Sequence, residues 1–211
     1  MKINTNTWNR IRYTLYTPGY DLLGRIFSAS RNKSISQLQL KPGDNILLIG
    51  AGTGLDLEYF PKDCLITATD ITPAMIKATI HRNKKLGLNL KALVMDGQTL
   101  SFPPESFDAI VLHLILAVIP DPVLCLKEAE RVLKPGGKIV VFDKFVPTNQ
   151  MVSILRKLLN LITNLVASDI TRDIETIAGQ TRLTIESDIP ADLGGNFRIL
   201  LLSKRDLISN Y

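Results

Sequence analysis

Between residues 46 and 57 the chain reads Ile46-Leu47-Leu48-Ile49-Gly50-Ala51-Gly52-Thr53-Gly54-Leu55-Asp56-Leu57, an apolar run followed by three glycines at alternate positions. The run has the character of a buried parallel strand. Glycines at that spacing let the backbone turn sharply against a ligand before a helix begins, which is the behaviour of a nucleotide-type binding loop. Asp70 closes the next apolar run, Leu65 to Thr69, at an edge where a carboxylate can accept both hydroxyls of a ribose. The spacing is G-x-G-x-G and not the G-x-G-x-x-G that seats a pyrophosphate on a helix N-terminus, so a nucleoside without a pyrophosphate fits better.

The elements that must hold these residues follow an alternating rhythm. Strands are expected at Ile46–Ile49, Leu65–Thr69, Leu90–Met95, Phe107–Leu114 and Lys138–Phe145. Between them, a short helix stops at Pro61, another opens on Thr72 as N-cap with Pro73 in its first turn and closes at Gly87, and a third runs from Asp121-Pro122 to Leu133. Such alternation predicts a parallel sheet with helices on both faces. The ending departs from it. An amphipathic helix is expected over residues 148–167, then strands at Arg182–Ile189 and Phe197–Lys204, whose connection is too short for a crossover helix and so makes an antiparallel hairpin at the sheet edge.

The predicted fold class is therefore α/β: a doubly wound, Rossmann-like, mostly parallel seven-stranded sheet with an antiparallel C-terminal hairpin and an N-terminal helical lid. One domain is expected over residues 1–211, with the lid over 1–40, in two helices at about 5–16 and 21–38, and the core over 41–211. Cys64 and Cys125 read as small core hydrophobes, suit a reducing compartment and offer no metal-ligand spacing. No signal-peptide pattern opens the chain and no uncharged apolar run reaches the roughly 20 residues of a membrane span, so a cytoplasmic protein is expected. The net charge of +5 is concentrated in residues 1–41, where seven basic residues face only Asp21. Interleaved with Trp8, Ile11, Tyr13, Tyr16 and Phe27, this charge is read as a lid packed on the domain with its charges solvated, or as a peripheral contact with an anionic membrane; nucleic acid is not an expected partner.

Taken together, residues 40–205 resemble the class I S-adenosylmethionine-dependent methyltransferases. The resemblance rests on Ile49 to Leu57, Asp70-Ile71-Thr72-Pro73-Ala74-Met75, Asp96-Gly97, Phe107-Asp108-Ala109-Ile110-Val111 and Leu133-Lys134-Pro135-Gly136-Gly137-Lys138, in that order. It implies S-adenosylmethionine as the cofactor. It also implies that Gly50, Ala51, Gly52, Thr53 and Gly54 approach the methionine part, that Asp70 with Ile71 beside it takes the ribose, and that Asp96 takes the adenine amino group with Gly97 and Gln98 alongside. The family commonly has an acidic residue two positions before the first glycine, where this chain has Leu48.

Three further residues are candidates for the catalytic side. His113, near the end of the fourth strand, is expected among the cofactor-binding residues and is the group best placed there to take a proton from an ammonium acceptor, although a histidine there also serves structure. Lys144, beside Asp143 at the end of the fifth strand, is placed to hold a phosphate or carboxylate of the acceptor, or to make a salt bridge. Tyr20, with Tyr13 and Tyr16, is placed in the lid, where aromatic faces suit a cation. No metal is expected. Short stretches, Arg12-Tyr13 through Tyr20-Asp21-Leu22-Leu23 and Asp143-Lys144-Phe145, are similar to bacterial phosphatidylethanolamine N-methyltransferases and quinone-biosynthesis C-methyltransferases. A lipid amine is the first expected acceptor and a quinone or other apolar small molecule the next. A cofactor-binding protein without catalysis and a nicotinamide-dependent oxidoreductase are the readings from other classes.

Overall fold

The first apolar run forms β1 (Asn45–Ile49), which lies in the middle of a sheet and is buried on both faces. Its side chains alternate: Leu47 and Ile49 enter one apolar cluster, Ile46 and Leu48 the other. This is why an uninterrupted apolar run, and not an alternating one, was needed here. In the computed structural model, which describes residues 5–7, 9–11, 25–145, 172–192 and 197–204, seven strands among the described residues form one sheet. The other strands are β2 (Leu65–Asp70), β3 (Asn89–Val94), β4 (Phe107–His113), β5 (Leu133–Lys144), β6 (Leu183–Pro190) and β7 (Phe197–Lys204).

Their order is β3-β2-β1-β4-β5-β7-β6. The first five are parallel, while β7 runs antiparallel between β5 and β6. The chain winds outward from β1 through β2 and β3, then returns to start β4 on the other side of β1. That reversal leaves a crevice at the carboxyl ends of β1 and β4.

Helices cover both faces. A 3-10 turn at Arg25–Phe27 leads into α1 (Ser28–Ser36), which packs on β5 and β7; α2 (Pro73–Leu86) packs on β2 and β3. On the opposite face α3 (Pro122–Val132) and the short α4 (Ile174–Ala178) share a cluster with Leu47, Ile110 and Val141. Burial of each such leucine, isoleucine or valine contributes roughly 1.5–3 kcal/mol. The punctuation works as expected at two ends. Gly87 closes α2 in the left-handed region at φ 68°, and the Asp121 carboxylate accepts the Leu124 N–H at the start of α3.

Three expectations change. The Lys134-Pro135-Gly136-Gly137 stretch lies inside β5: Leu133 already pairs with Phe107, and a register shift absorbs the extra residues before Lys138 pairs with Ala109. Thr72 flanks α2 but its hydroxyl does not cap the helix. Helix α4, nucleated by the Asp173 carboxylate accepting from Glu175 and Thr176 N–H, was not anticipated, being a single turn without visible periodicity. The expected helix over 148–167 and most of the loop between β6 and β7 lie outside the described residues, as does the first lid helix beyond Ile11. No helix among the described residues is long and apolar enough to cross a membrane.

Candidate active site

The loop after β1 bends through left-handed conformations at Gly50 (φ 71°), Gly52 (φ 57°) and Gly54 (φ 81°). Its shape is fixed from below. The Ala51 N–H donates to the Thr69 carbonyl (2.8 Å), the Thr79 hydroxyl of α2 to the Gly52 carbonyl (2.8 Å), and Arg82 Nε to the Thr53 carbonyl (3.0 Å). Asp70 at the end of β2 accepts the Gly52 N–H on one carboxylate oxygen (2.9 Å) and the Thr72 N–H on the other (2.8 Å). Burial pushes its carboxyl above the ordinary value, while these two N–H groups partly counter the shift.

Above this loop is a cleft lined by Gly50, Gly52, Asp70 and Ile71, and at its far end by Asp96 and Gly97. Asp96 Oδ1 accepts the Gln98 backbone N–H and side-chain amide (both 3.0 Å), and the Gln98 carbonyl oxygen accepts the Asp121 N–H (2.8 Å). The third side is the loop from Leu114 to Asp121, whose Ile115, Val118 and Ile119 face the cleft. That loop is tied down by Asp143, which accepts the Ala117 N–H (3.0 Å), and by Arg172, which donates to the Leu116 carbonyl. Of the predicted residues, Gly50, Gly52, Asp70, Ile71, Asp96 and Gly97 line the cleft and Gln98 stands behind it against Asp96, whereas Ala51, Thr53 and Gly54 shape the loop without lining it.

Besides the apolar residues of the loop after β4, sequence reasoning missed two polar members. Asn6 and Asn9, from the N-terminal segment, also line the cleft. Asn6 Nδ2 donates to Asp96 Oδ2 (2.5 Å) and Asn9 Nδ2 to the Val118 carbonyl (3.1 Å). Small amides 90 residues away in sequence carried no pattern that would reveal this. The N-terminal segment, read from its sequence as a lid packed on the domain, here forms part of the wall of this cleft.

His113 is not where a base facing the acceptor would be. Its ring is fully buried, with Nδ1 donating to Asp56 Oδ1 (2.7 Å) and Nε2 lying 2.9 Å from the Ser34 hydroxyl. Both nitrogens are engaged, and the residue does not line the cleft. Asp56 also receives Arg31 Nη1 on both oxygens, at 2.8 and 2.7 Å. Burial raises the Asp56 carboxyl, but the charges and hydrogen bonds of His113 and Arg31 outweigh it and hold the group well below the ordinary carboxylate range. The expectation that the lid's charges are solvated is therefore corrected at Arg31, which is only 4% exposed because α1 turns it onto Asp56.

Beside the cleft, Phe27, Phe142 and Phe197 form an aromatic cluster with ring centroids 4.7 to 5.7 Å apart. Leu114 joins the two regions, since it lines the cleft and packs on this cluster. Its backbone is in the left-handed region at φ 57°, a strained state for a leucine. Lys144 Nζ sits 5.7 Å above the Phe197 ring, and burial lowers its pKa while neighbouring Asp143 opposes that shift. Tyr13, Tyr16 and Tyr20 lie outside the described residues.

The cleft fits a nucleoside sulfonium. A Cβ at Gly50 would meet Ile115 Cδ1 at 2.8 Å and one at Gly97 would meet Ile49 Cγ2 at 2.8 Å, so at these two positions the walls leave no room for a side chain. Two carboxylates and no lysine or arginine line it among the described residues, which suits hydroxyl and amino donors on a cationic ligand and not a pyrophosphate. Residues 47–141 match the family described as a methyltransferase domain. A phosphatidylethanolamine N-methyltransferase of Cereibacter sphaeroides is 27% identical over 189 residues, covering 88% of this chain and 93% of that protein. A demethylmenaquinone methyltransferase of Corynebacterium efficiens is 34% identical over 134 residues, covering 61% of this chain but only 56% of that protein. The solved structure of a SAM-dependent methyltransferase from Aquifex aeolicus shares the fold, with a TM-score of 0.62 at 19% identity over 82% of this chain and 88% of that one. A family match running from β1 into β5, on this sheet and around this cleft, identifies the chain as a class I S-adenosylmethionine-dependent methyltransferase.

Proposed function

We propose that the protein transfers methyl from S-adenosylmethionine to the amino group of a phospholipid. The observation that carries this reading is extent: the phosphatidylethanolamine N-methyltransferase aligns along 93% of its own length, whereas the demethylmenaquinone methyltransferase aligns along 56%. The surroundings of the cleft support it. Leu114 gives the cleft an apolar wall backed by the Phe27–Phe142–Phe197 cluster, which suits a lipid acceptor, and Lys144 beside that cluster suits a phosphate.

In this reading Asp70 accepts the ribose hydroxyls and Asp96 the adenine amino group. The Gly97 and Gln98 backbone lies along the base, and the loop from Gly50 through Ala51, Gly52 and Thr53 to Gly54 holds the methionine part, with Ile71 against the ribose. When bound, the cofactor supplies a methyl group already made electrophilic by the sulfonium, so the protein's task is chiefly to align the acceptor. His113 serves that task indirectly, by fixing Asp56 and α1. Tyr20 is assigned to the acceptor's ammonium, Lys144 to its phosphate. A basic N-terminal segment with Ile11 and Ile26 exposed supports peripheral contact with a membrane that presents such a lipid.

The test is transfer of labelled methyl from S-adenosylmethionine into vesicles containing phosphatidylethanolamine, against a demethylated quinone in the same detergent. Label in the phospholipid fraction is the expected result. Label in the quinone alone would move the assignment to the second reading, which the demethylmenaquinone methyltransferase's similarity favours. Binding without transfer to either would point to another acceptor or to a non-catalytic role.

A further inference from the structure

The nucleobase end of the cleft contains a closed ring of hydrogen bonds that reaches beyond the family's motifs into the N-terminal segment. The Asn9 N–H donates to the Thr5 carbonyl (2.9 Å), one helical turn that sets Asn6 and Asn9 on the same side, toward the cleft. Asn9 is 4% exposed and holds the Val118 carbonyl, anchoring the segment to the loop after β4. Asn6 then meets two partners at once: its Nδ2 donates to Asp96 Oδ2, and its Oδ1 accepts from Gln98 Nε2 (3.3 Å).

The amide orientations in this ring are not free choices. The Asp121 N–H needs an acceptor and takes Gln98 Oε1, which turns Gln98 Nε2 toward Asp96 and Asn6. Asn6 must therefore present its oxygen to Gln98 and its NH₂ to the carboxylate. Asp96 is held on both oxygens by these donors, which fix the orientation of its carboxylate.

We propose that Asn6 is a specificity-determining residue for the cofactor. Together with Gln98 it locks the Asp96 carboxylate as an acceptor facing the nucleobase, so that a base with an exocyclic amino donor binds and one with an oxo group at that position is rejected. The proposal rests on the assignment of Asp96 to the adenine amino group. An oxo group facing the fixed carboxylate would leave two acceptors opposed and unpaired, which is the arrangement that discriminates most strongly. It follows that the N-terminal segment is part of the cofactor site and is steadied when the base is bound.

The experiment is calorimetric titration of the full chain with S-adenosylhomocysteine and with its deaminated analogue S-inosylhomocysteine. Wild type is expected to prefer the adenosyl compound. In Asn6→Ala the affinity for S-adenosylhomocysteine should fall roughly tenfold and the preference should shrink, with an unchanged melting temperature in the absence of ligand. Asn6→Ser, too short to span to Asp96, provides the same comparison should Asn6→Ala lose stability. Hydrogen exchange of the amides of residues 5–11 should slow on adding S-adenosylhomocysteine to wild type and change little in the variant. Unchanged affinity in Asn6→Ala alongside weakened binding in Asp96→Ala would overturn the role of Asn6 and leave the Asp96 assignment standing. Unchanged affinity in Asp96→Ala removes both. Equal losses for the two ligands in Asn6→Ala would reduce the residue to a general cover and overturn the selectivity.

Discussion

Asp70 illustrates how a single carboxylate is oriented for the ribose role proposed for it. The N–H groups of Gly52 and Thr72 hold its two oxygens in the plane that faces the cleft, and burial keeps water from competing. Asp70→Ala should weaken binding of S-adenosylhomocysteine by roughly 1.5–3 kcal/mol, the range for a hydrogen bond to a charged group; calorimetry that finds wild-type affinity would remove the residue from the site. Gly50 illustrates the opposite constraint, absence of a side chain. Gly50→Ala forces a Cβ into the left-handed region, at about 1–2 kcal/mol, and drives it to within 2.8 Å of Ile115 Cδ1 on the opposite wall. We expect Gly50→Ala to lose stability by that amount and to lose cofactor affinity as well, whereas Ile115→Ala in the same background should restore part of the affinity. Failure of that rescue would show that the backbone conformation alone accounts for the defect. At this scale the sequence was readable wherever local chemistry forces the residue type. Three glycines in left-handed turns and a strand-end aspartate could be placed without a structure. His113 could not, since its position at a strand end looks the same whether its ring faces a substrate or, as here, a buried carboxylate contributed from 57 residues away.

Among the elements, α1 shows the limit of pattern reading most sharply. Its buried residues are Ser30, Arg31, Ser34 and Ile35, so it docks through a polar face that no apolar periodicity could reveal. The docking is electrostatic: Arg31 and His113 flank Asp56, with side-chain exposures of 5, 0 and 2%. Removing one partner of such a buried set leaves an uncompensated charge, so Asp56→Asn should destabilise the protein by about 3–5 kcal/mol in urea unfolding at neutral pH. The pH dependence has a definite sign. Because the folded carboxyl is held below its unfolded value, its stabilisation is present at neutral pH and is lost on acidification, as the unfolded chain takes up the proton first below about pH 5. The gap between wild type and Asp56→Asn should therefore narrow between pH 7 and about pH 3. A gap constant across that range would mean that the aspartate acts through shape and not through charge. The strands, in contrast, were legible because burial on both faces writes itself as unbroken apolar runs; β5 alone began well before its expected start, at Leu133 and not Lys138, where a bulge absorbed two glycines that read as a loop.

For the molecule as a whole, the cleft lies where the winding of the sheet reverses, with β1 flanked by β2 on one side and β4 on the other. The alternation of strands and helices made this crevice foreseeable, while the contributions of the N-terminal segment were not, since they depend on contacts across 90 residues or more. The cleft draws on β1, β2, the loop after β4 and the N-terminal segment at once, so a ligand in it ties the N-terminal segment to the sheet. Mass action then fixes the size of the effect. A ligand that binds only the folded chain stabilises it by about 2.7 kcal/mol at a hundred times its Kd. For a chain of this length each kcal/mol moves the melting temperature by about 2–4 °C, so saturating S-adenosylhomocysteine should raise it by roughly 5–11 °C. Thermal scans of wild type and Asp70→Ala at one ligand concentration separate the contributions, because the variant should keep its own melting temperature without ligand and shift less with it. A shift of equal size in both proteins would place the ligand somewhere other than against Asp70, and with it the ribose assignment on which the orientation of the whole cofactor depends.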